Sequence, residues 1–370
     1  MSWRETFLVH FGSGAFSGIP LGLWLRVLRE NRFAVDSPYW GRAAAITFAS
    51  IPNTLLRWWE NLLYSEKVRT TKVDPPLFIL GIWRSGTTHL HNLLAQDDRF
   101  AYPNNYQVFY PQTFLTTEKI NGRLVGFFFP DKRPQDNVKM EIQGPQEDEF
   151  AFCSLTGRNC MMAWAFPRRA EYYDRYLTLR KAPESEVDEW KSALTLFVRK
   201  LSFKYAKPLV LKSPGHTCRI KLLLDLFPDA KFVHIRRNPY DVFQSTIHTV
   251  RKVTPWWALQ RPDYRNLEDR TLRQYKEVYE AFFAECGLIP NGHFHEIRFE
   301  NLEADPISQV RSIYKALSLP DFEFVEPSLR RYLDSIAGYK KNKLPELAGD
   351  MRLRVAREWR KCFEGWDYHL

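Results

Sequence analysis

Apolar positions follow two rhythms along this chain. Short, mostly apolar runs, Leu77-Phe78-Ile79-Leu80, Leu209-Val210-Leu211 and Phe232-Val233-His234-Ile235, predict buried strands, and Phe294 to Phe299 predicts a further short strand. Between them the spacing lengthens to three and four. It picks out Leu90, Leu93 and Leu94; Trp190, Leu194, Phe197 and Leu201; Ile220, Leu223 and Phe227; Leu272, Tyr275, Tyr279 and Phe282; and Val310, Ile313, Tyr314 and Leu317 as faces of helices. Alternation of this kind predicts an α/β fold with a parallel sheet flanked by helices. A further helix is predicted from Tyr39 to Glu66, with Trp58, Leu62 and Leu63 among its apolar positions, and Asp74-Pro75-Pro76 ends that tract. The expected division is an N-terminal helical segment, residues 1–74, and an α/β domain, residues 75–370, with a helical insertion in mid-chain.

The strand at Leu77 runs into Gly81-Ile82-Trp83-Arg84-Ser85-Gly86-Thr87-Thr88, and a helix follows. The glycines match the spacing of the phosphate-binding loop GxxxxGK[ST], with Thr87-Thr88 where Lys-Ser or Lys-Thr stands in that motif. Such a loop is P-loop-like: backbone amides and the positive helix end hold an anion, and Arg84 supplies the charge of the missing lysine. A nucleoside triphosphatase also ends a second strand in Asp, to hold Mg²⁺. Here the comparable strands end in Lys212 and in Arg236-Arg237. Cations in those places suit a ligand with phosphates at two positions and no metal.

These residues resemble the sulfotransferases that use 3′-phosphoadenosine 5′-phosphosulfate. Arg84-Ser85-Gly86-Thr87-Thr88 is similar to their 5′-phosphosulfate loop, and Arg237-Asn238-Pro239 through Ser245 to their 3′-phosphate motif. Leu211-Lys212-Ser213-Pro214-Gly215-His216 is similar to a run of bacterial and Golgi-type members, and the likeness extends from about Pro75 to Gly338. It implies that Arg84, Ser85, Gly86, Thr87, Thr88, Arg237 and Ser245 bind the donor. Lys212, at a strand's carboxyl end, would meet the bridging oxygen. Relatives with an Arg-type loop carry a catalytic glutamate soon after the loop's helix, but Pro103-Asn104-Asn105-Tyr106-Gln107 has no acid. His216 and Glu147 therefore compete as general base. Glu147 opens Glu147-Asp148-Glu149, a run that otherwise reads as solvated carboxylates at a helix start. A divergent kinase or nucleoside triphosphatase is the first alternative; a catalytically silent nucleotide-binding protein at a membrane is the second.

A net charge of +10 favours anionic ligands, yet no run of five Lys or Arg resembles a nucleic-acid tail. The expected acceptor is a small molecule, lipid or glycan, not nucleic acid. Five cysteines without paired CxxC spacing indicate neither a disulfide framework nor a zinc site, and point to the cytoplasm. From Thr6 to Leu25 no residue is charged. Its length permits a bilayer span, but four glycines, a proline, a histidine and two serines oppose one. A packing segment and a peripheral membrane contact through residues 6–25 stay open beside it. Thr249 to Arg270, with Trp256-Trp257 between prolines, reads as an irregular lid loop.

Overall fold

β1 (Leu77–Leu80) lies between β2 (Val210–Lys212) and β3 (Lys231–Arg236), with β4 (Phe294–Arg298) beyond β3. This computed structural model describes residues 12, 14–130, 132–136, 138–339, 342 and 344–369. All three strand pairings are parallel, with Leu77 opposite Val210 and Lys231, and Phe232 opposite Phe294. The predicted strand-helix-strand unit from β2 to β3 forms, but the two strands are not neighbours, because β1 separates them.

Two compact units divide the chain. The α/β unit comprises 74–102, 207–249 and 265–370, and a helical unit is drawn from 1–73, 103–206 and 250–264. In the α/β unit every residue of β1 is buried, as the uninterrupted apolar run requires of a sheet covered on both faces. Leu77 and Ile79 join Leu90, Val233, Val310 and Ile313 in one core cluster. Phe78 points to the other face, where its ring stacks on Phe232 at 5.6 Å and meets His216 edge-on at 5.1 Å.

In the helical unit the predicted helix at Tyr39 forms as Trp40–Thr70, and it packs with the helices Leu21–Glu30 and Glu184–Tyr205. Its buried positions include Arg42, Ser50, Asn53 and Glu60, while Trp58 and Leu62 stand outward at 65% and 64% exposure. Glu60 is held by Lys200 at 2.5 Å and by the Thr116 amide at 2.9 Å. Within the uncharged run, residues 6–11 and 13 lie outside the described ones, whereas Ala15, Phe16 and Ile19 are core residues of this unit. No described helix is long and apolar enough to cross a membrane.

The expected lid loop is largely helix. Pro239–Trp257 is continuous, and Leu267–Glu285 begins soon afterwards. Pro255 falls in the last turn, where the lost amide frees only the Arg251 carbonyl, and the Tyr264 hydroxyl lies 3.5 Å from that oxygen. Trp257 is buried against Phe150 and Trp164, each ring centroid 5.3 Å away.

Candidate functional site

Parallel pairing carries the carboxyl ends of β1, β2 and β3 to one edge of the sheet, the edge at which open α/β sheets bind ligands. β1 is also the switch point, since the chain runs from it to β2 on one side and then crosses to β3 on the other.

The loop after β1 depends on its glycines. Gly81 has φ +144°, and a Cβ there would lie 2.7 Å from both the Ile235 carbonyl and the Ser85 hydroxyl. Gly86 has φ +99°, and a Cβ would overlap the Phe299 ring. Between them Arg84 adopts φ +71°, a left-handed conformation that a side chain normally avoids. The Gly81 amide donates to the Thr217 hydroxyl at 2.7 Å, and the Ser85 hydroxyl donates to the Ile82 carbonyl at 2.7 Å. Gly86 caps the helix Thr87–Leu94, whose first turn carries backbone amides that no residue of that helix can accept from. Thr87 is buried and Thr88 half-buried on that turn.

The two ends of the predicted donor site meet. Arg84 Nε donates to Ser245 Oγ at 2.8 Å, and Arg237 Nη1 donates to the Arg84 carbonyl at 3.2 Å. Asp241, in the first turn of the helix Pro239–Trp257 and four residues after Arg237, accepts from its Nη2 at 3.2 Å. Phe299 supplies a ring face 4.5 Å from the Arg237 guanidinium carbon, so one side chain touches both the loop glycine and the cation. The Asn238 amide donates to Glu300 at 3.0 Å, which ties the start of the Arg237 helix to the segment after β4.

Lys212 closes β2 opposite Ile79 and is 2% exposed. Ser213 then caps a short 3₁₀ turn, accepting from the Gly215 amide at 3.0 Å. His216, on that turn, is fully buried beneath Phe78, and the Arg219 guanidinium is buried against Gly215. Glu147 belongs to the helical unit, where it is half-buried and precedes the 3₁₀ turn Asp148–Phe150. Asp148 and Glu149 are fully buried, contrary to the solvated acidic helix start expected from the run. The environment of Cys153 reflects this: burial first, and then the Glu149 carboxylate, push its thiol well above the ordinary range.

Phe299, Thr217, Glu300 and Asp241 were not singled out from the sequence. Asp241 was legible, standing at i+4 from Arg237 on a predicted helix. The others reach the site from remote segments whose approach only the sheet order determines. Among the described residues, no group of three His, Cys, Asp or Glu side chains is arranged to hold a metal ion.

The sulfotransferase family profile matches residues 75–323. The omega-hydroxy-beta-dihydromenaquinone-9 sulfotransferase Stf3 of Mycobacterium tuberculosis is 37% identical over 99% of this chain and 94% of its own length, and its counterpart in Mycobacterium bovis matches equally. Two solved structures share the fold. Sulfotransferase STF9 from Mycobacterium avium has a TM-score of 0.65 at 18% identity, covering 94% of this chain and 97% of that one. Sulfotransferase STF1 from Mycobacterium tuberculosis has 0.64 at 16%, covering 92% and 90%. On the profile match and on an identity that runs almost end to end, the chain belongs to the sulfotransferase family, enzymes that pass a sulfuryl group to an acceptor.

Proposed function

We propose that the sulfuryl donor is 3′-phosphoadenosine 5′-phosphosulfate, and that the loop from Gly81 to Thr88 and the Arg237–Ser245 helix turns hold its two phosphorylated ends. The observation that carries this reading is the junction of Arg84 with Ser245 and Arg237 at the carboxyl edge of the sheet. Guanidinium groups, hydroxyls and helix N-termini there match phosphate oxygens in charge and in hydrogen-bonding sense. Ser85, Gly86, Thr87 and Thr88 complete the grip at the 5′ end.

In the transfer, the acceptor oxygen forms a bond to sulfur while sulfur's bond to the phosphate oxygen breaks, and the acceptor hydroxyl loses its proton. The products are a sulfate ester and 3′-phosphoadenosine 5′-phosphate. Lys212 stabilises the charge that builds on the departing phosphate, a role in which a preorganised cation lowers the barrier without reorganising. His216 and Glu147 compete for the proton. Burial of His216 under Phe78 favours a packing role for that imidazole, and Glu147 is the more accessible of the two.

Two relatives that match across almost the whole chain are named for an omega-hydroxy derivative of a menaquinone. The acceptor proposed here is a hydroxyl of that class, on a hydroxylated prenyl quinone or related lipid. The test begins with titration of 3′-phosphoadenosine 5′-phosphate, then incubates labelled donor with hydroxylated prenyl quinones, hydroxylated lipids and glycans. Label is expected in a quinone or lipid product, and the pH profiles of His216→Asn and Glu147→Gln identify the base. Failure to bind the nucleotide, or Mg²⁺-dependent ATP hydrolysis in its place, overturns the donor assignment; transfer to glycans alone overturns the acceptor class.

A further inference from the structure

The helix Trp40–Thr70 is amphipathic in the inverted sense. Polar side chains face inward and make hydrogen bonds there. Arg42 donates to the carbonyls of Ala258 at 2.7 Å and Pro255 at 3.2 Å, and Asn53 donates to that of Ser17 at 2.7 Å. Ser50 donates to the Thr47 carbonyl at 2.7 Å. Ile46 and Val68 are buried beside them, but most of the large apolar side chains face outward. Phe48, Ile51, Leu55, Trp58 and Leu62 follow one another at intervals of three and four, with exposures of 74%, 47%, 65%, 65% and 64%, and Trp40 stands 65% exposed at the helix start. Between Trp40 and Leu63 the charged residues are Arg42 and Glu60, both buried, and Arg57, which falls about half a turn from Phe48 on a 3.6-residue helix. A continuous apolar stripe of this length is rare on a surface that meets only water.

One end of the stripe is cationic. The helix Leu21–Glu30 lies antiparallel to it, since the Trp24 indole donates to Thr47 at 2.8 Å and the Leu21 amide to Thr54 at 2.9 Å. Its carboxyl end therefore comes beside Trp40, whose indole donates to the Val35 carbonyl at 3.1 Å. There the exposed side chains of Arg29 and Arg32 form no ion pair with any described residue. With Arg168 and Arg169 they line a cavity of about 700 Å³. Glu30 also borders the cavity, but its carboxylate pairs with Arg158 at 3.1 Å, and Asp36 holds Arg168 at 2.8 Å.

We propose that this face of the helical unit docks on the anionic leaflet of a bilayer, the stripe from Trp40 to Leu62 entering the interface while the arginine cavity takes a phospholipid phosphate. Tryptophans at positions 40 and 58 and arginines at the rim are the residue types that partition to an anionic membrane surface. A second copy of this chain fits less well, because the stripe carries no acidic group to answer its partner's cations. The docking face is independent of which donor or acceptor the α/β unit binds.

Vesicle flotation of the full chain tests it. Binding is expected to vesicles containing about 30 mol % phosphatidylglycerol and to be weaker, by roughly 10-fold or more, on pure phosphatidylcholine. Leu55→Glu/Trp58→Glu lowers partitioning by at least about 10-fold with an unchanged circular dichroism spectrum. Phe48→Ser/Leu62→Ser does the same should the first pair misfold. Arg29→Glu/Arg32→Glu brings binding to anionic vesicles down to the neutral-vesicle level. Absence of wild-type binding, or equal binding by the stripe variants, overturns the proposal. So does light scattering that finds a dimer which Leu55→Glu/Trp58→Glu dissociates while vesicles recruit neither protein.

Discussion

Arg84 Nε donates to Ser245 Oγ at 2.8 Å across 161 positions of sequence. The contact links the loop that follows β1 to the helix that follows β3, and Arg237 Nη1 reaches the main-chain carbonyl of the same Arg84 at 3.2 Å. Arg84→Ala and Ser245→Ala are each expected to weaken binding of 3′-phosphoadenosine 5′-phosphate by roughly 10-fold. Because the two side chains act as one unit, calorimetry of the double variant yields a coupling of about 1–2 kcal/mol. Strictly additive losses would show that the contact is incidental to binding.

Gly86→Ala combines two penalties, a backbone at φ +99° that costs an L-residue about 1–3 kcal/mol and a methyl group placed into the Phe299 ring. The urea midpoint is expected to drop and nucleotide binding to weaken. Adding Phe299→Ala restores room but not the backbone preference, so the double variant recovers only part of the midpoint. Complete recovery would assign the whole effect to the ring.

Lys212→Met keeps the bulk of a side chain that is 2% exposed and removes its charge. A group that stabilises the departing phosphate gives a fall in turnover of roughly 10²-fold or more, with nucleotide affinity changed less than about 10-fold. Rapid-quench measurement of the transfer step decides it; equal losses in affinity and rate would make Lys212 a binding residue instead.

Asp97 anchors the end of the loop helix, its carboxylate fully buried and bonded to Arg99 at 2.7 Å and to the Tyr314 hydroxyl at 2.7 Å. Burial, the largest influence, pushes its pKa up, but the Arg99 and Tyr314 bonds outweigh it and hold the group below 3.8. With the folded value under the unfolded one, its stabilisation is complete above 3.8 and disappears as pH falls through the folded value. Urea unfolding is expected to give a constant contribution between about pH 5 and 7 and a loss below about pH 4. Asp97→Asn costs about 1–3 kcal/mol at neutral pH and flattens that acid limb; an unchanged limb would refute the assignment.

Much of the α/β unit was legible because its signals are local. Leu77–Leu80 reads as a strand covered on both faces, Gly81 and Gly86 as loop positions, and Arg237 as the residue just before a helix. The arrangement around them was not. Phe299 meets Gly86 and Arg237 only because β4 lies beside β3. Asp148 and Glu149 have the composition of a solvated turn and are buried nonetheless, since burial follows from what packs on the turn. The helix Trp40–Thr70 has the right period in the sequence, but period alone does not tell which face turns inward.

The strand order has a consequence for synthesis. β1 is translated first among the four strands, yet both of its neighbours are made later, the nearer starting at Val210. At a ribosomal rate of about 5–20 residues per second, the roughly 130 residues between them take about 6–26 s to appear. For that interval Leu77-Phe78-Ile79-Leu80 has no native strand to pair with, and a nascent chain stalled before Val210 should be the form that chaperones hold longest.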